Sequence, residues 1–246
     1  MKTRCILFAA AFAAGASAIA METVNFASTD GLLVTADLYA PHPKTVPFII
    51  LFHQADYSRG EYREIAPRLN ALGFNAMAVD QRSGNAAGGV RNETAALARG
   101  KSLKRSYIDA LPDMLAAIAF AKAQGYVQGG LVLWGSSYSA SLVLKIAGDE
   151  PGICDAVLAF SPGEYFSGTS FIRRSAANIA VPVFVSSAPG EGSDWSTIFA
   201  AIPGSAKASF LPEALGRHGS SALMSQASGN GEYWKHVEAF LASLKK

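Results

Sequence analysis

The sequence predicts an α/β domain built on a mostly parallel, doubly wound sheet with helices on both faces, and three observations lead there. Short apolar runs such as Val46 to Phe52, Ala156 to Phe160 and Val181 to Val185 show no polar alternation, as strands buried on both faces require. Segments with apolar residues at helical spacing lie between such runs, and strands alternating with helices give a parallel sheet. At 246 residues, with no long Pro/Gly/Ser linker, repeat or low-complexity tract, the chain has the length of one such domain.

The chain opens with Lys2 and Arg4 ahead of an apolar, alanine-rich stretch from Ile6 to Ala14. Ala16-Ser17-Ala18 and Ala18-Ile19-Ala20 then offer small-residue cleavage sites. This pattern predicts a secretory signal peptide over residues 1–20, cut after 18 or 20, and a secreted or periplasmic domain over 21–246. The apolar stretch is too short to serve as a membrane span. Val24 to Phe26 and Leu33 to Tyr39 read as an antiparallel hairpin turned at Asp30-Gly31. After the Val46 to Phe52 strand, Ile65, Leu69 and Leu72 set a helix over Glu61 to Leu72, stopped by Gly73. Ala76 to Val79 is the next strand, and the polar, glycine-rich segment from Gln81 to Lys101 reads as a loop. Ile108, Leu111, Leu115 and Ile118 form the inward face of a helix from Tyr107 to Gln124. Strand Leu131 to Trp134 runs into a helix carrying Leu142, Val143 and Ile146. The Ala156 to Phe160 and Val181 to Val185 strands follow, then a weaker one from Ala206 to Leu211. A terminal helix has its stripe at Val237, Phe240, Leu241 and Leu244.

Composition narrows the function classes. Loss of Lys2 and Arg4 with the leader takes the formal charge from +2 to zero, so neither nucleic acid nor an anionic membrane surface is an expected partner. Cys154 would be the one cysteine of the mature chain, which rules out an internal disulfide. There is no His-Glu-x-x-His, cysteine cluster or phosphate-cradling glycine loop, so no metal and no other cofactor is expected. Asn92-Glu93-Thr94 matches a glycosylation sequon, and Asp80 and Arg82 are placed to hold their loop by a local ion pair.

Gly135-Ser136-Ser137-Tyr138-Ser139 carries the chemistry. A nucleophilic serine held on a strand-to-helix turn needs small residues two before and two after it, a condition Gly135 and Ser139 meet for Ser137. Reading Ser136 as the nucleophile would put Trp134 at the crowded position. Serine needs a base, and the loops at the carboxyl edge of a parallel sheet supply candidates. His42 lies at the opposite edge, His236 faces solvent on the terminal helix, and His53 precedes the serine on an adjacent strand. His218, in Gly216-Arg217-His218-Gly219, sits at the correct edge and gives the order serine, acid, histidine. Glu191 and Asp194 follow the Val181 to Val185 strand, and Glu164 follows the preceding one.

With Leu51-Phe52-His53-Gln54, Asp80-Gln81-Arg82, the serine turn and Arg217-His218-Gly219 in place, the chain resembles the α/β-hydrolase family, in particular its dienelactone-hydrolase-like members. The resemblance implies an α/β-hydrolase fold and a triad of Ser137, His218 and a carboxylate after the seventh strand, where Glu191 stands. Asp194, expected to cap a helix starting before Trp195, and Glu164 are the alternatives. It also implies an oxyanion hole made by the backbone N–H groups of Tyr138 and Gln54, with the helix start near Tyr138 adding its positive end. Three departures stand out: Ser139 replaces the usual last glycine, a serine replaces the cysteine nucleophile of dienelactone hydrolases proper, and Glu191 stands where the family usually carries aspartate.

The connection from Phe160 to Val181 is too short for a multi-helix lid, so an open pocket and short acyl chains are expected. Phe52, Tyr57, Tyr138, Tyr165, Phe166 and Trp195 are candidate lining residues. The functional expectation is an exported serine carboxylesterase acting on small-molecule esters through an acyl-enzyme. The alternatives are a peptidase, amidase or thioesterase on the same triad, and a non-catalytic α/β-hydrolase-like binding protein.

Overall fold

The computed structural model describes residues 21–168, 170–204 and 206–245, and the leader expected over residues 1–20 lies outside them. In chain order the strands are β1 (Met21–Ala27), β2 (Leu33–Tyr39), β3 (Phe48–Phe52), β4 (Asn75–Val79), β5 (Ala86–Ala87), β6 (Val90–Arg91), β7 (Leu131–Ser136), β8 (Ala156–Phe160), β9 (Val183–Ser186) and β10 (Lys207–Phe210). The α-helices are α1 (Ile65–Ala71), α2 (Glu93–Gly100), α3 (Leu111–Ala123), α4 (Tyr138–Asp149), α5 (Phe171–Ala176), α6 (Gly192–Ala201) and α7 (Asn230–Ser243). Eight strands form one sheet in the order β1-β2-β4-β3-β7-β8-β9-β10. The β1–β2 and β2–β4 pairings are antiparallel, and every pairing from β4 to β10 is parallel.

The continuous apolar runs are explained by two cores, one on each face of the sheet. Along β3, Phe48, Ile50 and Phe52 point into the core under α3, α4, α5 and α6, while Ile49 and Leu51 point into the core under α1 and α7. With period-2 side-chain direction and both faces covered, no position on β3 is left for a polar residue. The terminal helix buries Val237, Phe240 and Leu241 as its stripe requires, with Leu244 partly covered at its end.

The structure departs from the sequence reading in several places. The Gln81 to Lys101 segment contains the small β5–β6 hairpin and α2, whose N-cap is Asn92. The Tyr107 to Gln124 segment begins with a 3-10 turn, Tyr107–Ala110, before α3. Its buried face is Ala110, Met114, Ala117, Ile118 and Ala121, and Ile108 is exposed. Glu61 is on a 3-10 turn, Arg59–Tyr62, ahead of α1.

Asp80 and Arg82 do not pair with each other. Asp80 takes the Arg59 guanidinium at 2.6 Å, whereas Arg82 forks onto the buried Asp113 at 2.6 and 2.9 Å and reaches Asp30 in the β1–β2 turn at 2.6 Å. These ion pairs fasten the loop after β4 to the hairpin and to α3. Between β8 and β9 the described chain holds only the short α5, so no lid covers the carboxyl edge of the sheet.

Candidate active site

Strand β7 enters α4 through a turn centred on Ser137, whose backbone stands at φ 58, ψ −123. That conformation costs a non-glycine residue about 1–3 kcal/mol and persists only where its surroundings dictate it. Here the Ser137 N–H is bound to the Phe160 carbonyl at 2.7 Å, and the Ser137 carbonyl accepts from Ala140 N–H at 2.9 Å. Gly135 is obligatory beside it, because a Cβ there would stand 2.3 Å from the Ser139 carbonyl oxygen. Ser139 fits as serine because its hydroxyl has work of its own. It donates to the His53 carbonyl at 2.7 Å and accepts from Gln81 Nε2 at 2.6 Å, bridging the ends of β3 and β4 to the elbow.

His218 follows β10 and caps the 3-10 turn Gly219–Leu223. Its Nδ1 lies 2.6 Å from Glu191 Oε1. The second oxygen of Glu191 accepts from the Ser161 hydroxyl at 2.6 Å and the Ala188 N–H at 3.0 Å. Burial pushes the Glu191 pKa up, but the hydrogen bonds from His218 and Ser161 outweigh it and leave the carboxyl below its ordinary value. The same bond to Glu191 raises His218 above the ordinary 6.5, against the opposing effect of burial. The glycine after the histidine reflects close packing at φ 67, since a Cβ on Gly219 would lie 2.3 Å from Ser136 Oγ.

The two other carboxylates are occupied or turned elsewhere. Glu164 accepts the Ile172 and Arg173 N–H groups at 2.8 and 2.9 Å, capping α5. Asp194 falls inside the first turn of α6, a helix that starts at Gly192 with Glu191 at its N-cap, so Asp194 is not the cap that its position before Trp195 suggested. Among the histidines, His42 bonds the Asn70 carbonyl at 2.7 Å, and His236 is half-buried and stacks on Phe210 at 4.2 Å. His53 is fully buried. Desolvation brings its pKa down to about 4, which keeps it neutral as a structural hydrogen-bonding group.

Ser137 is buried beside Tyr165, whose own phenol donates to the Ser161 carbonyl at 2.8 Å. No hydrogen bond joins Ser137 to His218 here, and such contacts commonly tighten only around bound substrate. The expected oxyanion donors fare differently from each other. Tyr138 opens α4, so its N–H has no partner within the helix. Gln54 N–H is engaged, donating to Glu61 Oε2 at 2.9 Å. The next two amides of this loop, those of Ala55 and Asp56, have no hydrogen-bond partner among the described residues, and both lie in the turn closed by the Tyr57 N–H to Gln54 carbonyl bond of 3.3 Å.

Of the expected lining residues, Phe52, Tyr138 and Trp195 are core, while Tyr165 and Phe166 join Tyr107, Ile108 and Phe171 around a cleft of about 300 Å³. Tyr57 lines a different cleft, of about 610 Å³, with Arg63 and Arg217. Asn92 of the sequon is fully buried, its amide nitrogen bonding the Gln81 carbonyl at 2.9 Å and its oxygen capping α2. Among the described residues, no group of three or more His, Cys, Asp or Glu side chains is placed to hold a metal ion.

Sequence reasoning missed Ser161 and Glu61. Ser161 was findable as the first polar residue beyond the apolar β8 at the carboxyl edge. Glu61 carried no such signal, because its burial depends on contacts with distant loops.

The family model for the dienelactone hydrolase family matches residues 34–196. The chain belongs to that family. The matched span includes Ser137 and Glu191 and ends before His218. No curated protein matches the sequence. Among solved structures, this dienelactone hydrolase family member superposes on the dienelactone hydrolase of Anabaena variabilis with a TM-score of 0.71 at 11% identity, covering 92% of this chain and 99% of that one. A Pyrococcus furiosus esterase gives 0.67 at 15% identity, covering 92% and 93%. The esterase domain of a Rhodothermus marinus protein gives 0.64 at 15%, covering 91% and 99%. At these identities the likeness is one of fold, the α/β-hydrolase fold.

The Ser139 bridge yields a stability prediction. Ser139→Gly restores the family's usual glycine yet should lower unfolding free energy by about 1–3 kcal/mol, since it strands two buried partners. A lower urea midpoint at unchanged slope would show this, and an unchanged midpoint would refute it.

Proposed function

We propose that this hydrolase is a serine carboxylesterase in which Ser137 attacks the ester carbonyl, His218 takes and returns the proton, and Glu191 holds the histidine. The observation that carries the reading is the Glu191–His218 bond of 2.6 Å at the same sheet edge as the strained Ser137. With Nδ1 engaged by Glu191, the other ring nitrogen is the one available to the serine. The hydroxyl proton passes to it as the Oγ–carbon bond forms, and it is returned to the departing alcohol as the acyl-enzyme appears. Water then repeats the sequence and releases the acid.

The oxyanion forming on the carbonyl would be met by Tyr138 N–H at the start of α4 and, in place of Gln54, by Ala55 N–H. The short β8–β9 connection, which among the described residues holds only α5, supports short acyl groups, on the order of two to six carbons, over long ones. The cleft of about 300 Å³ lined by Tyr165 adjoins the serine through that side chain and is not lined by the triad itself. Export through the residue 1–20 leader belongs to the same proposal, and N-terminal sequencing of the mature protein tests it. Among the described residues, no helix is long and apolar enough to cross a membrane.

The direct test is to treat the protein with an organophosphonate and map the labelled peptide while assaying nitrophenyl esters of graded length alongside thioesters and amides. The label should sit on Ser137, and Ser137→Ala should lose several orders of magnitude in turnover, with a small residue left from the oxyanion hole. Labelling at Ser136, or undiminished activity in Ser137→Ala, would overturn the assignment. The pH profile follows from the raised His218 pKa: the base works neutral, so kcat/KM should fall on the acid side with a midpoint above 6.5. Glu191→Gln removes the negative charge, and the midpoint should move down. The Ala55 donor is testable because Asp56 at φ 60 makes Gln54 to Tyr57 a type II turn, whose second position accepts proline. Ala55→Pro should fold normally and lose about 10²–10³ in kcat with its missing N–H. Turnover within threefold of the parent would transfer the role elsewhere.

A further inference from the structure

Beneath the crevice lies a carboxylate that the proposed triad does not use. Glu61 is fully buried on the 3-10 turn Arg59–Tyr62, and it forms no salt bridge among the described residues. Its Oε2 accepts from Gln54 N–H at 2.9 Å, and its Oε1 accepts from Gln54 Nε2 at 3.3 Å and the Ser136 hydroxyl at 2.8 Å. Ser136 Oγ in turn accepts the Ser220 N–H at 2.8 Å. One side chain therefore reaches the turn bearing Ala55, the residue before Ser137 and, through a single hydroxyl, the loop two residues past His218.

An unpaired carboxylate is an expensive group to bury, and an apolar side chain of similar size would avoid that cost. What the carboxylate offers is acceptor capacity without a donor of its own, matched here to three donors from two catalytic loops. Burial pushes its pKa up to about 7, with the hydrogen bonds from Gln54 and Ser136 acting in the opposite direction. Neither Ser137 nor His218 is among its hydrogen-bond partners, and its reach to His218 is through charge alone, each group favouring the other's ionised form.

We infer that Glu61 is a positioning residue, setting the Ala55 amide, the Ser137 elbow and the His218 loop in register through Gln54, Ser136 and Ser220. The inference rests on the serine-hydrolase reading for its catalytic consequence, while the mechanical tie among the three loops stands apart from it. Gln54 N–H is spent on Glu61, which fixes the turn and leaves the Ala55 amide without an acceptor, as the role proposed for it requires. Ser136, which a motif search offers as a rival nucleophile, is the link between two loops.

Three variants test this: Glu61→Ala, Glu61→Gln and Ser136→Ala, each compared with the parent by ester kinetics and by amide hydrogen exchange. Glu61→Ala should lower kcat by about a hundredfold or more with KM within threefold, as misplacement of an oxyanion donor does. Glu61→Gln should recover most of that loss, because its amide oxygen can still accept from Gln54 N–H. Exchange at Ser220 should quicken in Glu61→Ala as well as in Ser136→Ala, although Ser220 does not touch Glu61. Exchange at Gln54 should quicken in Glu61→Ala and Glu61→Gln in that order of magnitude. A kcat within threefold in Glu61→Ala, a rise in KM alone, or unchanged exchange at Gln54 and Ser220 overturns the inference. If the parent protein turns over no ester, thioester or amide, the serine-hydrolase reading fails by itself, and the exchange data still decide whether Glu61 ties the loops.

Discussion

The positive φ of Ser137 is the constraint on which the rest of this structure depends. A serine does not adopt that backbone unaided, and it is held by bonds from both sides: its N–H to β8 and its carbonyl to the first turn of α4. Those bonds need β7 and β8 in parallel register and α4 packed over the sheet, so the whole domain acts as the clamp. The absence of a side chain at Gly135 and the small Ser139 are local consequences of bringing a strand and a helix so close together.

Around the elbow the interior holds many polar groups, most of them bonded to one another, with the buried Tyr138 hydroxyl left without a partner among the described residues. His53, Gln81, Asn92 and Ser139 satisfy one another below the ends of β3 and β4, while Arg82 is shared between Asp30 and Asp113 a little further out. Desolvation acts in opposite senses on two of the buried titratable groups near the elbow. It keeps His53 neutral, and it pushes the Glu61 carboxyl up to about 7. His218 differs from both because it is partly exposed and paired with a carboxylate, and it is the histidine whose pKa moves upward. Difference in burial and in pairing thus separates a neutral scaffolding histidine from the one proposed to carry the proton.

Much of this was legible in the sequence because it depends on local pattern. Uninterrupted apolar runs mark strands covered on both faces, and the order of serine, acid and histidine along the chain places all three at one sheet edge. The Glu191–His218 contact was one of three possibilities that strand order left open, with Asp194 and Glu164 as the others, and the family resemblance favoured it. Helix α2 was passed over because it lies inside a segment whose start is polar and glycine-rich, although the Asn92 cap and the Ala-Ala-Leu-Ala run after it are local helix signals; packing against β2 completes it. Arg82 and Asp80 were misread as a local pair because each has a partner distant in sequence, which no local pattern reveals. Gln54 was named by analogy of position, and the side chain that engages its amide lies seven residues on, in a turn that looked like the start of a helix.

The burial of Asn92 has a consequence for how the protein is made. A glycan on its amide nitrogen and the native packing of that nitrogen against Gln81 and His53 exclude each other. In a host that modifies Asn-x-Thr as the chain emerges, the yield of active molecules is set by a race between the transferase and closure of the loop after β4. A motif readable in the unfolded chain is erased by folding, and the speed of folding decides which reader reaches it first.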